Sequence, residues 1–432
     1  MQRQNSVLLL LGKKPVLKLL LLLVLLNLLL ISLTFGMANS NHLSNDDSTL
    51  LSMSNLQFTF RLHKELSRDN TKNLFLSPFS ISTALAMTYL GAKGNTADQM
   101  ADVLGFSGVK SSVHQSFEKY LTILLKENDN FTLHTANRLF PNDRSKVEDD
   151  YKNECIKHYK ADIVPLDFTQ SEAARKKIND WVSEKTKNKI KDLIDSSLLT
   201  PNVFMVLVNA IYFKGNWASQ FDEKNTRKGG FHINYSEEVE VDMMYQKKKF
   251  NFGYNSQLLC SILEMPYKGE SLSMVFILPD TIDGLEAVEE ALTPQMFSEL
   301  QSTMNNAKDV EVYLPKFKLE TKFQLSTILS KLGMSDAFNG EKADFSGMDK
   351  MKSVFISEVV HQAFVEVNEE GTEAAAATGV VMMKRAAVRN FIFKADKPFL
   401  FFIKDKTTNV ILFSGRLSRP EGRIIKSTKE EL

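Results

Sequence analysis

Residues 203–213 form an almost unbroken apolar run, Val-Phe-Met-Val-Leu-Val-Asn-Ala-Ile-Tyr-Phe, interrupted only by Asn209. A run of this kind with no polar face fits a strand covered on both sides. Such a strand needs a broad sheet with layers packed above and below it. The chain has the material for one: 432 residues, 43% hydrophobic against 24% charged, a balance that excludes a disordered polymer. Residues 272–278 repeat the signal and end at Pro279. Residues 310–319 alternate, with Val312, Leu314 and Phe317 set among Glu311, Lys316 and Lys318. Apolar strands recur near the end at 391–393, 399–403 and 410–413.

Helical spacing appears between these runs. Residues 50–66 place Leu56, Phe60 and Leu66 on one face, and 80–90 follow Pro78, a start signal. Residues 113–125 align Phe117, Leu121 and Leu124, and 173–193 mix an apolar stripe with lysines, as a surface helix does. A shorter helix at 325–332 is closed by Gly333. Strands and helices without strict βαβ alternation predict an α+β fold. No internal repeat or low-complexity linker follows residue 50, which predicts one large domain, residues 39–420.

The termini read as addresses. Lys13, Lys14 and Lys18 precede an apolar stretch over 19–35, then Gly36 and Ala38 sit where a signal peptidase would cut, giving a signal peptide of residues 1–38. The stretch is also long enough for a membrane anchor; Asn27 and the small residues that end it favour cleavage. The tail, 421–432, ends Lys429-Glu430-Glu431-Leu432, the endoplasmic-reticulum retrieval tetrapeptide with its Asp lengthened by a methylene. Together these predict a lumenal protein of the early secretory pathway, partly secreted, with the retrieval receptor as one partner. Asn130 and Asn234 head sequons for glycosylation. A net charge of +1 favours no nucleic-acid partner, and the lysine groups at 185–191 and 247–249 read as solvated faces. Two cysteines, Cys155 and Cys260, are too few for a disulfide framework or the usual zinc ligand set. Cys260 lies in an apolar run and reads as a buried thiol; a bridge to Cys155 stays open. No metal or other cofactor is implied.

Residues 366–390, EVNEEGTEAAAATGVVMMKRAAVRN, are odd for a core. Alanine suits a helix by propensity and a strand poorly. Yet Thr372, Ala374, Ala376 and Thr378 share one parity, continued by Val380 and Met382, while the charge of Glu373 falls on the other. A strand slid between two existing strands needs small residues inward and tolerates a charge outward. The segment resembles the hinge and reactive-centre loop of the serpins: Glu369, Glu370, Gly371, Thr372, Glu373, then Ala374, Ala375, Ala376 and Ala377. Residues 73–80 resemble the family's shutter segment, with Ser77 and Ser80. Residues 209–217 resemble the strand that ends at the breach with Trp217, and 396–403 and 413–416 its C-terminal strands. The resemblance spans about 50–420.

It implies three β-sheets, eight or nine helices and an exposed loop used as bait. A protease attacks the loop and forms an acyl-enzyme; the cut loop inserts into the central sheet and the trapped protease is deformed. Loop insertion of this kind is a strand addition that releases stored strain. A dozen new ladder residues at about 0.5–1.5 kcal/mol each give on the order of 10 kcal/mol, comparable to a domain's whole stability. Ser80, Asn209 and His361 are expected to hydrogen-bond beneath the sheet where strands part. The family's scissile bond lies thirteen residues beyond the hinge threonine, which gives Arg385–Ala386.

The bait then reads Met382-Met383-Lys384-Arg385. An Arg at the primary position calls for an acidic pocket, and the dibasic pair points to furin-like proprotein convertases. Furin favours Arg where Met382 stands, and losing one such charged contact costs roughly 1.5–3 kcal/mol. Cleavage after Lys384 or Arg389 instead would shift the bond. Two other readings stand beside this one: an inhibitor of secreted trypsin-like enzymes using the same Arg385, and a non-inhibitory chaperone of the endoplasmic reticulum like the family's collagen-binding member. No Gly-x-Ser-x-Gly or similar nucleophile motif supports an enzyme. A monomeric serine protease inhibitor is the expectation.

Overall fold

The computed structural model describes residues 45–68, 72–108, 112–126, 129–304, 307–370 and 391–427. In chain order it begins with helix α1 (Asn45–Leu66), strand β1 (Leu74–Leu76) and helices α2 (Pro78–Gly91), α3 (Gly94–Leu104) and α4 (Val113–Leu124). Strand β2 (Phe131–Pro141), helices α5 (Asp149–Tyr159) and α6 (Ser171–Lys185), and strand β3 (Met205–Gly215) follow. Next come β4 (Arg227–His232), β5 (Glu237–Asn255), β6 (Cys260–Pro266) and β7 (Leu272–Pro279), then α7 (Leu285–Ala291) and α8 (Pro294–Ser302). The last third holds β8 (Ala307–Pro315), β9 (Phe317–Gln324), α9 (Ser326–Lys331), β10 (Glu358–Val367), β11 (Phe391–Lys394), β12 (Phe399–Asp405), β13 (Ile411–Leu417) and β14 (Arg423–Ser427). Nine α-helices among the described residues and a mixture of parallel and antiparallel strands make an α+β fold.

The strands form two ladders. A four-stranded sheet runs β2–β3–β10–β9. The other ladder, of ten strands, runs β1–β13–β12–β7–β6–β5–β8–β11, with β4 and β14 also on β5. The three expected sheets thus appear as one sheet and one continuous ladder. The fusion is the work of β5, whose 19 residues pair β4 and β14 at one end and β6 at the other.

The run at 203–213 is β3, shifted two residues on, and all but one of its eleven residues are buried. One face packs on the main core with Leu207, Ile211 and Phe213, and the other with Val206, Val208 and Ala210 under α6. This is why the sequence shows no polar alternation there. Two expectations are corrected. The alternating stretch 310–319 is not one strand: it breaks at Lys316, whose amide donates to the Asp242 carbonyl at 2.8 Å, so β8 and β9 belong to different ladders. The helix expected at 173–193 stops at Lys185, because Lys187 and Asn188 take positive φ (52° and 62°) and turn the chain back.

Part of the tail is also structured. Arg423, Ile424 and Lys426 of β14 lie opposite Glu240, Val239 and Glu238, so opposite charges face one another across the ladder. Gly422 permits the approach, since a Cβ there would meet the Glu240 carbonyl at 2.3 Å. Cys155 and Cys260 are both free and buried, which decides against a bridge, and burial pushes each thiol up to about 12. No described helix is long and apolar enough to cross a membrane; residues 1–38 lie outside the described residues.

Candidate functional site

β3 and β10 are the central pair of the four-stranded sheet. They run parallel, in register from Val206↔Glu358 to Tyr212↔Phe364. There their pairing stops, although β3 continues to Gly215 and β10 to Val367. Each stays zipped to its outer neighbour over that stretch, β3 to β2 as far as Gly215↔Phe131, and β10 to β9 as far as Val367↔Phe317. The sheet therefore forks at Tyr212 and Phe364.

The mouth of the fork is closed by the residues that precede the loop. The Trp217 indole stacks on Tyr267, ring centroids 4.7 Å apart and nearly parallel. Its amide donates to the Glu370 carbonyl at 2.9 Å, and its Nε1–H to the Asn368 carbonyl at 3.1 Å. The Phe221 amide donates to the Glu369 carbonyl at 2.9 Å. The Glu369 side chain accepts from Thr226 Oγ1 at 2.7 Å and meets Lys316 Nζ at 2.9 Å. Burial pushes its carboxyl up, but these two partners outweigh it and hold it below the usual range. Glu369 and Glu370, expected as the start of the hinge, are thus seated in the breach. Gly371, Thr372, Glu373 and Ala374–Ala377 lie outside the described residues, as do Met382, Met383, Lys384, and the bond Arg385–Ala386.

Deeper in the pair sits a polar gate. His361 and Asn209 are register partners on β10 and β3, both fully buried. His361 Nε2 accepts from the Ser77 amide at 3.1 Å, so Nδ1 carries the proton and donates to Asn209 Oδ1. Asn209 Nδ2 donates to the Ser80 carbonyl at 2.9 Å, to Ser80 Oγ at 2.6 Å and to Asn137 Oδ1. Ser77 has a second task. It caps α2, its Oγ accepting from the Ser80 amide at 3.1 Å with Pro78 at the first turn, while the same hydroxyl donates to the Leu412 carbonyl at 2.6 Å. The helix start therefore fixes both serines under the two strands. All four expected shutter residues meet here. Asn137 of β2 was missed by sequence reasoning, because only the pairing Asn137↔Asn209 brings it in. Thr226, Lys316 and Tyr267 were missed for the same reason.

Burial pushes His361 down to about 3, so the ring is neutral in the folded protein. The unfolded chain takes up a proton near pH 6.5 that the folded gate refuses. This contribution to stability is complete above about pH 6.5 and is lost as pH falls toward 3; in the limit it is on the order of 3–5 kcal/mol. His114, pushed down to about 4 by burial first and by His158 second, acts in the same direction. Melting temperature is expected to fall between pH 6.5 and 4, with a shallower slope in His361→Asn. An unchanged slope in that variant would remove His361 as a cause.

The described residues also contain a Ser–His–Glu chain that looks catalytic and is not. Ser414 Oγ lies 2.9 Å from His63 Nδ1, and His63 Nε2 lies 2.8 Å from Glu289 Oε1. All three are buried, and the Arg416 guanidinium neutralises Glu289 at 3.1 Å. No substrate reaches it, and its role is to tie α1, α7 and β13 together. Of the two sequon asparagines, Asn234 is exposed on the β4–β5 hairpin; Asn130 is half-buried, its amide lying against Gly269. Lys429, Glu430, Glu431 and Leu432 lie outside the described residues.

A sheet forked at one end, gated by hydrogen bonds and closed at its mouth by Asn368, Glu369 and Glu370, has room to take an extra strand into itself. The family model for serpins (serine protease inhibitor) matches residues 53–420. The chain belongs to the serpin family: it is a serine protease inhibitor and not an enzyme. Serpin B6 of Macaca fascicularis is 47% identical over 375 residues, covering 86% of this chain and all of that protein. The human leukocyte elastase inhibitor is 44% identical over 377 residues, covering 86% and 99%. Among solved structures, uncleaved ovalbumin superposes with a TM-score of 0.78 at 32% identity, covering 86% of this chain and 100% of that one. Serpin48 of Tenebrio molitor superposes with a TM-score of 0.76 at 34% identity, covering 88% and 100%. The match to the family model ends before β14.

Proposed function

We propose that this serpin traps furin-like proprotein convertases as a suicide substrate cleaved at Arg385–Ala386, within the early secretory pathway. The carrying observation is the pair Lys384-Arg385, placed at the bond by the count from Thr372. A strand that carries the small residues 374–377 brings no bulk or charge into the fork between β3 and β10. Both addresses, residues 1–38 and 429–432, fall outside the stretch that matches the family model, so they are additions to the inhibitor rather than parts of it. The exposed Asn234 is the better placed of the two sequons for a glycan. The target in the name of the leukocyte elastase inhibitor does not carry over, because elastase has a small primary pocket and Arg385 is long and charged.

The rival reading, a secreted inhibitor of trypsin-like enzymes, uses the same Arg385 and leaves Lys384 without a task. A chaperone has no use for a small-residue hinge. The test is to mix the chain from residue 39 onward with a furin-like convertase, and separately with trypsin. A denaturant-resistant complex with the convertase and a new N-terminus at Ala386 is expected. Degradation of the loop by both proteases without complex would sink the inhibitor reading for these targets. Deletion of residues 429–432 is expected to release the protein to the medium; unchanged secretion favours the trypsin-like alternative.

A further inference from the structure

The chain re-enters the fold at β11, whose first residue, Phe391, lies five residues beyond Ala386. Five residues span at most about 17 Å, so the primed side of the bond lies within that reach of the ground around Phe391. Three strands present it. Lys248 of β5 is in register with Val310 of β8, and Val310 with Phe391 of β11, which sets Lys248 two strands, about 10 Å, from the foot of the loop. Lys308 Nζ lies 5.0 Å from the Phe391 ring and 5.6 Å from Phe252, whose rings are 5.2 Å apart. Neighbouring lysines are committed: Lys247 pairs Glu311 at 3.1 Å and Lys394 pairs Asp396 at 2.9 Å. Lys248, Lys249 and Lys308 form no ion pair among the described residues; the acid in register opposite Lys249 is Asp309.

We propose that Lys248 and Lys308, which share the face of the sheet that carries Phe391, form an exosite for an acidic rim on the primed side of the target protease's cleft. The surface steers encounter and adds selectivity to what Lys384 and Arg385 read in the pocket. Cations that form no ion pair among the described residues retain their field for an approaching acidic surface, which raises association rate more than final affinity. The lysines lie on β5 and β8, in a different ladder from the β3–β10 fork, so the exosite acts before insertion and leaves insertion itself unchanged. This inference rests on the inhibitor reading above.

The experiment compares the chain with Lys248→Glu and, separately, with Lys308→Gln. Association rates are measured with a furin-like convertase and with trypsin, at low and high salt. Lys248→Glu is expected to associate with the convertase on the order of tenfold more slowly at low salt, with the difference closing at high salt. Lys308→Gln should move the same way by less. The cleaved bond and the stabilisation on loop cleavage should match the unsubstituted chain, which shows that the variants fold and insert. Equal rates at low salt would overturn the exosite. So would rates that differ only when heparin is added, because the lysines would then serve a polyanion. A failure of the inhibitor reading looks different: the unsubstituted chain itself forms no stable complex.

Discussion

Arg385→Ala is expected to abolish inhibition in practical terms. An acidic primary pocket that receives no cation keeps a buried carboxylate without its partner, which costs about 3–5 kcal/mol. Converted to a rate of acylation, that is roughly two to more than three orders of magnitude. Fold and stability should be unchanged, because the substitution touches only the bait. Lys384→Ala separates the targets: a marked loss with a convertase and little change with trypsin. The assay is the second-order rate of complex formation with each enzyme. Retention of activity by Arg385→Ala would move the bond, and Lys384 or Arg389 would then be examined by sequencing the released peptide.

The second large effect is on stability. Cleavage of the loop by a protease that is not trapped is expected to raise the melting temperature. The gain from a dozen new ladder residues is on the order of 10 kcal/mol, which for a domain of this size is roughly 10–15 °C. The fork between β3 and β10 is where that strand would pair: past Phe364 the inner edges of the two strands do not pair with each other. A chaperone with a loop that does not insert would show no such rise, so a melting curve before and after cleavage decides between the two classes. Glu369 is a useful companion site. It is held by Thr226 and Lys316 at the mouth, upstream of anything that enters, and should stay in place in both states.

Much of this was legible in the sequence, and the rest was hidden for definable reasons. The run at 203–213 marked the central strand because burial on both faces leaves a one-dimensional trace. Asn209 stood out within it as the one polar residue, and the structure shows what satisfies it. Asn137, Thr226 and Lys316 left no such trace. Each is an ordinary polar residue locally, and each gains a role only through a partner between 53 and 143 positions away. The break at Lys316 was missed because the residues on either side keep the alternation of a single strand. The tail strand β14 was missed because Arg423 and Lys426 read as solvated charge; their partners Glu240 and Glu238 lie in a distant hairpin. The bait residues rest on the family resemblance and a count from Thr372, and they lie outside the described residues.

The fork has a kinetic consequence. A parallel pair closed at Val206 and open beyond Tyr212 is a zipper with a single free end. In the proposed trapping, an entering strand would start there and advance toward His361 and Asn209. The fate of a trapped enzyme would then be a race run in fixed order, with Thr372 entering first, the gate farther down the course, and deacylation as the competing clock. A bad residue near Thr372 stalls the runner at the line and turns the inhibitor into an ordinary substrate. One placed farther along costs progress already made. Position along the loop, not the chemistry of the substitution alone, therefore sets how many inhibitor molecules are consumed for each protease caught.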